Sequence, residues 1–467
     1  MKYVIFLTII AALGGFLFGY DTAVISGTTE DVKAFYHLND FQQGWYVGCA
    51  ILGCIIGVLM AGRLCDIFGR KPLLMTAAVI FSASSMGCVV YSGFDQLVFY
   101  RIFGGVGIGI ASITAPLYIS EISIPKYRGR MVACYQLAIT VGILGSYLSN
   151  TTVLKWSQII QFESDFMKLA INDEVWRGML GMETFPAMLF LMALFLIPES
   201  SRWQVAKQQE SKALRTFEKI YLSNNAQKEI DEIRDVIRRE PKSDWRLLLK
   251  PGFRIAMIIG VCLAMLGQFM GVNAVFYYGP KFLLEAGLEK TASLDFQIWV
   301  GLVNVIATIL AMTLIDKIGR KKLIYIGVSG MVILLIGIGL FFHFAASGQT
   351  ISTWILFVLI LAYVFSSAIS ISAVIFVLLS EMYPVKVRGS AMSVAGFSLW
   401  VGSFLISQLT PWLTTKLSAS GVFWLFGFMC LPYLLITYFL VPETTGKSLE
   451  AIEREWTDRG KINYSIN

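Results

Sequence analysis

The chain is predicted to be an all-α membrane protein of about twelve spanning helices in two matched halves. Three observations carry this. Of its 467 residues, 56% are hydrophobic and only 15% charged, where soluble domains carry about 25% charged residues. Long runs such as Trp45–Met60, Met257–Met270 and Trp354–Val364 hold almost no charge, and one helix needs about 20 such residues to cross the hydrocarbon. A set of charged motifs also recurs, in order, at nearly half the chain length.

In the first half, spanning helices are predicted near 5–26, 44–63, 72–91, 97–120, 131–151 and 180–197. In the second they fall near 254–278, 295–315, 322–345, 353–381, 390–413 and 422–441. The first run lacks a small-residue cleavage site and ends in Gly19-Tyr20-Asp21, so it reads as a spanning helix and not a signal peptide. Gly104, Gly105, Gly107, Gly109, Pro116 and Gly271 lie inside these runs. Membrane helices tolerate them because neighbours satisfy the backbone and glycine lets helices approach closely.

The net charge of +7 sits in short clusters between the runs: Arg63, Arg70 and Lys71; Lys126, Arg128 and Arg130; Lys317 to Lys322; Lys386 and Arg388. This is the positive-inside pattern and no nucleic-acid footprint, and it places both termini on the cytoplasmic side of a multi-pass protein of the cell membrane. The stretch from Glu199 to Lys250 is polar. Leu214, Phe217, Ile220 and Tyr221, then Ala226, Ile230, Ile233 and Ile237, recur there at helical spacing, predicting cytoplasmic amphipathic helices that join the halves. The expected organisation is an N-terminal bundle over 1–200, a linker over 201–252, a C-terminal bundle over 253–442 and a tail over 443–467. The outer stretch between about Thr151 and Glu174 is long enough to fold over the outer mouth.

The repeat has three parts. Asp66-Ile67-Phe68-Gly69-Arg70-Lys71 returns as Asp316-Lys317-Ile318-Gly319-Arg320-Lys321. Glu121 precedes Arg128-Gly129 as Glu381 precedes Arg388-Gly389, and Pro198-Glu199-Ser200 returns as Pro442-Glu443-Thr444. Three features in register indicate duplication. Positive-inside residues alone explain the arginines but not the matching acids. The functional reading is a cytoplasmic gate: Arg70, Glu121, Arg128 and Glu199 in one half, with Arg320, Glu381, Arg388 and Glu443 in the other, paired in one state and separated in another.

These repeats resemble the sugar porter family of the major facilitator superfamily. So do Pro198-Glu199-Ser200-Ser201-Arg202-Trp203, Pro442-Glu443-Thr444-Thr445-Gly446-Lys447, Gly19-Tyr20-Asp21, the run from Arg101 to Arg128-Gly129, and Gln268-Phe269-Met270-Gly271-Val272-Asn273. The resemblance spans nearly the whole chain and is nearest to bacterial proton-coupled sugar symporters of the D-xylose type. It implies two six-helix bundles around a central sugar site, and a proton-coupled monosaccharide carrier working by alternating access.

Asp21 and Arg101 are the candidate proton-coupling residues. A lone charge in hydrocarbon costs several kcal/mol, so the two are expected to pair. A purely structural pair, or an Asp21 that reaches the outer headgroups, is the plain alternative. The resemblance implies coupling, because facilitative members carry an uncharged residue here. Sugars need two-sided hydrogen-bonding groups and aromatic faces. The candidates are Gln136, Gln268, Asn273, Tyr277 and Asn304, with Phe376 and Trp400 as stacking faces, and as a set the polar ones match the family's sugar-contacting positions. Gln268 and Asn273 are five residues apart and diverge by about 140° on an ideal helix, so a bend at Gly271 is expected to bring both to one cavity. The amides alternatively tie helices together.

The chain departs from the family at Gly267, where a glutamine is usual. It departs again at Ser372-Ala373 and Phe376, where Gly-Pro and Trp are usual, and at Leu399 and Ile143, where glutamines are common. The pocket is therefore expected to be less polar than in glucose and xylose carriers.

No nucleophile–base pair or nucleotide-binding loop appears. Two histidines and seven cysteines (Cys49, Cys54, Cys65, Cys88, Cys134, Cys262, Cys430) without ligand spacing argue against a metal site or disulfide framework. An enzyme is excluded, and no cofactor is expected. The partners are a small-molecule sugar, a proton and the lipid bilayer, with the chain a monomer. A facilitative sugar or polyol uniporter is the nearest rival. A non-transporting sugar receptor is more distant, since only about 25 residues follow the last helix, too few for a sizeable signalling domain.

Overall fold

The computed structural model describes residues 2–90, 93–124, 127–220, 227, 230–231, 234–235, 251–383 and 388–443. Every regular element among them is helical. Among the described residues, ten helical segments are long and apolar enough to cross a bilayer.

The first unit runs over Met1–Leu38 and Tyr46–Glu240. Its helices are α1 Lys2–Tyr36, α2 Asp40–Phe68 from Tyr46 onward, α3 Arg70–Val90, α4 Phe94–Ile122 and α5 Arg128–Ile159. The spanning helix predicted at 180–197 is broken into α6 Val175–Gly181 and α7 Thr184–Leu194, with Met182 and Glu183 at the break. Two short helices follow, α8 Ser201–Ala206 and α9 Glu210–Ile220. They fold because Ala213, Phe217 and Ile230 bury one apolar cluster with Val205. The predicted positions Tyr221, Ala226, Ile233 and Ile237 lie outside the described residues.

Helix α1 continues about ten residues past its predicted end. Its polar last turns are satisfied internally: Thr29 Oγ1 donates to Ile25 O at 2.7 Å, and Thr28 Oγ1 lies 2.8 Å from Tyr46 Oη. The stretch after α5 carries one short α-turn, Asp165–Met167, and a π-turn, Lys168–Asp173. Ala170 and Ile171 pack there against Val89.

The second unit comprises Asn39–Trp45 and Pro241–Asn467. Its helices are α10 Pro251–Phe269, α11 Val272–Glu285, α12 Lys290–Ile318, α13 Arg320–Ala346, α14 Thr353–Ser367, α15 Ala373–Met382 and α16 Arg388–Phe439. A π-turn, Ala368–Ser372, links α14 to α15. Helix α16 combines two predicted spans and turns at Ser418, whose φ is 60°. Counting the broken α6–α7 and the two parts of α16, the set is consistent with twelve spans. Phe282, Phe342 and Phe423 form a buried ring cluster with centroid separations of 4.9 to 6.5 Å.

The spanning helices leave large apolar side chains in the open, among them Phe185, Ile333 and Trp354 at 70% exposure or more. Such patches suit hydrocarbon and not water. The arrangement is an all-α membrane fold.

Candidate functional site

The first site lies inside the first unit. Asp21 of α1 and Arg101 of α4 are 6% and 4% exposed, and Arg101 Nη1 donates to Asp21 Oδ1. Arg101 Nε has no hydrogen-bond partner among the described residues. A third charge, not singled out in the sequence, joins them. Glu183, at the α6–α7 break, is 4% exposed and within electrostatic reach of both Asp21 and Arg101. Its Oε1 has no hydrogen-bond partner among the described residues. An acid inside an apolar stretch was the available signal, but the predicted helix start at 180 put Glu183 at a headgroup-level end.

The charge count governs what this cluster can do. Two ionised carboxylates and one guanidinium would leave a net buried negative charge, at a cost of several kcal/mol. One proton on the cluster removes it.

The second site lies inside the second unit. Helix α10 ends at Phe269, and Gly271 takes φ 88°, a left-handed conformation open mainly to glycine. Tyr363 Oη donates to Met270 O at 2.6 Å and satisfies a carbonyl at the break. The new direction of α11 brings Asn273 back over Gln268: Asn273 Nδ2 donates to Gln268 Oε1 at 2.8 Å and to Ser403 Oγ at 3.1 Å. Ser403, on α16, was not singled out in the sequence. A serine in an apolar helix usually bonds its own backbone, as Ser407 does to Ser403 O at 2.7 Å, so nothing in the sequence sets Ser403 apart.

Trp400 sits one turn before Ser403 on α16, and the backbone of Gly402 lies against the Gln268 side chain. Tyr277 and Asn304 are buried, at 6% and 5% exposure. Phe376 is 49% exposed on α15. Gln136 is half-buried on α5 of the first unit. A side chain at Gly267 would meet Ile371 Cγ2 at 3.4 Å and Tyr433 Cε2 at 3.9 Å. An isoleucine and a tyrosine thus flank that position.

The repeated motifs build the same joint twice, once in each unit. Gly69 and Gly319 turn the chain with φ of 100° and 94°. Arg70 Nη1 donates to Cys65 O at 2.9 Å, and Arg320 Nη1 to Ile315 O at 3.3 Å, each five residues back. Arg70 Nη2 pairs with Glu121 Oε1 at 2.8 Å, and Arg320 Nη2 with Glu381 Oε1 at 2.9 Å. Lys71 Nζ donates to Ile197 O and Lys321 Nζ to Val441 O, at 2.7 and 2.8 Å. Each acceptor directly precedes a Pro-Glu pair.

Glu199 accepts backbone N–H bonds from Arg70 and Ser200 at 3.0 and 2.6 Å. Burial nevertheless holds its carboxyl above the ordinary carboxylate range, with the backbone donors of Ser200, Arg70 and Lys71 pulling it down. Ser200 Oγ donates to Glu121 Oε2. Arg388 bonds Tyr383 O at 3.4 Å, Arg128 is exposed, and Glu443 is partly buried. The motif residues from Thr444 onward lie outside the described residues.

Comparison with known proteins gives one picture. The sequence model of the family described as "Sugar (and other) transporter" matches residues 7–456. The arabinose-proton symporter of Bacillus subtilis (strain 168) is 35% identical over 456 residues, covering 98% of this chain and 96% of that one. The D-xylose-proton symporter of Escherichia coli (strain K12) is 34% identical over 493 residues, covering 98% and 97%. Among solved structures, the inward open conformation of the xylose transporter XylE from E. coli superposes with a TM-score of 0.83 at 32% identity, covering 97% of this chain and 100% of that one.

Proposed function

Since the chain belongs to the sugar (and other) transporter family, we propose that it carries a monosaccharide, a pentose or hexose, together with a proton by alternating access. The observation that carries this is the buried cluster of Asp21, Arg101 and Glu183. Uncoupled carriage of a neutral sugar has no need of two acids and a guanidinium in hydrocarbon, where each isolated charge is costly. The relatives named as arabinose-proton and D-xylose-proton symporters support the same reading.

The proton neutralises the cluster, and a neutral cluster tolerates the burial that a change of access imposes. With the proton gone, Arg101 offsets one carboxylate and a net negative charge remains, which favours the state in which the cluster is less buried. Sugar recognition rests on Gln268, Asn273, Tyr277 and Asn304, with Gln136, Trp400 and Phe376 as further contacts. Ser403 orients Asn273 and joins the set. The paired joints at Arg70–Glu121 and Arg320–Glu381 are the gate elements, with Arg128, Glu199, Arg388 and Glu443 around them. The basic loops support cytoplasmic termini, and the protein works as a monomer in the cell membrane. The two bundles, linker and tail follow the boundaries at 200, 252 and 442.

The test is counterflow in proteoliposomes with xylose, arabinose, glucose, galactose and inositol, with and without an imposed pH gradient. Exchange of at least one pentose or hexose, and its accumulation against a gradient only when the outside is acidic, is the expected result. Exchange without any response to pH would make the protein a uniporter. Exchange of none of these would end the sugar reading.

A further inference from the structure

Gln297 is placed where an amide has nothing to do in the conformation described. It lies on α12, 1% exposed, and neither its Oε1 nor its Nε2 has a hydrogen-bond partner among the described residues. Buried polar groups are nearly always paired, so one with both ends open needs a reason. Its neighbour is the backbone of α11: a Cβ at Gly279 would stand 1.8 Å from Gln297 Nε2. Only a residue without a side chain lets α11 cover this amide. Pro280 follows inside the same helix. It has no N–H to offer, and it weakens the local helix ladder, so this part of α11 is suited to moving.

Position on α12 shows what the amide serves. Gln297 and Asn304 are seven residues apart, two turns along one helix face, and Thr308 continues the stripe one turn further. All three are buried, at 1%, 5% and 5% exposure. Seven residues rise by about 10.5 Å, more than one sugar ring spans, so Gln297 and Asn304 are separate stations on one line. An amide offers an acceptor and two donors side by side, which suits neighbouring hydroxyls on a neutral sugar.

Resting on the transport reading and its orientation, we infer that Gln297 is an outer specificity residue. It takes a sugar hydroxyl pair as the substrate enters from the side of the α11–α12 loop, and α11 then closes over it through Gly279. The price of closing over an unpaired amide also biases α11 toward opening once the sugar has moved on to Asn304.

Two variants test this in right-side-out vesicles, with whichever sugar of the panel the parent protein exchanges. Gln297→Leu removes both hydrogen-bonding ends at similar volume. It is expected to raise the half-saturating concentration for entry about three- to ten-fold more than that for exit, the change one hydrogen bond carries. Gln297→Cys is expected to react from outside with a membrane-impermeant maleimide, above the labelling of the parent protein, and saturating sugar is expected to slow the reaction. Equal entry and exit effects in Gln297→Leu, or a cysteine that is unreactive or indifferent to sugar, would overturn the assignment while the parent still exchanges sugar. Loss of exchange by the parent itself is instead the failure of the transport reading.

Discussion

Replacing Asp21 by asparagine removes one charge and keeps the shape. Asp21 and Arg101 have side-chain exposures of only 9% and 4%, so the guanidinium stays charged and buried, loses the carboxylate it bonds, and keeps only the more loosely coupled Glu183 as counter-ion. Breaking a buried pair from one side costs about 3–5 kcal/mol. The asparagine oxygen still accepts from Arg101 Nη1, so the loss is expected at the lower end of that range. Neutralising both partners, as Asp21→Asn with Arg101→Gln, removes the stranded charge and is expected to recover part of the melting temperature.

The functional loss is larger in kind. One pH unit is worth 1.36 kcal/mol per proton, so one proton per sugar supports about tenfold accumulation per pH unit. The assay is radiolabelled sugar uptake into vesicles with the outside one pH unit more acidic and the membrane potential clamped. The parent is expected to accumulate sugar about tenfold. Asp21→Asn is expected to stop at equal concentrations inside and out while still exchanging sugar. Tenfold accumulation by Asp21→Asn, or a double variant whose destabilisation is the sum of the two singles, would refute the reasoning.

Three further outcomes follow. Glu183→Gln removes the second acid of the buried cluster and is expected to keep counterflow while flattening the dependence of uptake on external pH; an unaltered pH profile would remove Glu183 from the coupling machinery. Asn273→Ala deletes the bonds to Gln268 and Ser403, about 0.5–1.5 kcal/mol each. Loss of its hydrogen bond to the sugar should raise the half-saturating concentration in counterflow about 3- to 10-fold, and an unchanged value would remove the amide from the site. Glu199 holds its proton more tightly folded than unfolded, because burial raises its carboxyl. Its stabilising contribution is complete below the unfolded value and is lost as pH rises through the folded one. Glu199→Gln should therefore show a smaller fall in Tm than the parent as pH rises from about 4.5 toward neutrality; parallel Tm–pH curves would contradict this.

What the sequence made legible is what repeats or what breaks a hydropathy pattern. The motif Asp-x-x-Gly-Arg-Lys is readable because its glycine, arginine and lysine each have a fixed backbone task, performed alike at Gly69–Lys71 and Gly319–Lys321. The Gln268–Asn273 geometry follows from spacing plus one glycine, since the 140° divergence needs a break and Gly271 supplies it. Hydropathy was blind to the last turns of α1, whose hydroxyls bond within the fold. It also ran through the α6–α7 break, because Met179, Leu180 and Met182 before Glu183 and Phe185, Pro186 and Ala187 after it keep the average apolar. Ser403 and Gln297 were out of reach for a different reason. Their meaning lies in which backbone faces them from another helix, and one sequence holds no record of that.

The central claim is that sugar and proton move together. The most direct measurement is the pH of a weakly buffered medium around de-energised cells or vesicles containing the protein, as a sugar the protein exchanges is added outside. Symport predicts a transient alkalinisation that starts with sugar entry, scales with its rate and is absent in Asp21→Asn. Sugar entry at a normal rate with no pH change would contradict the account.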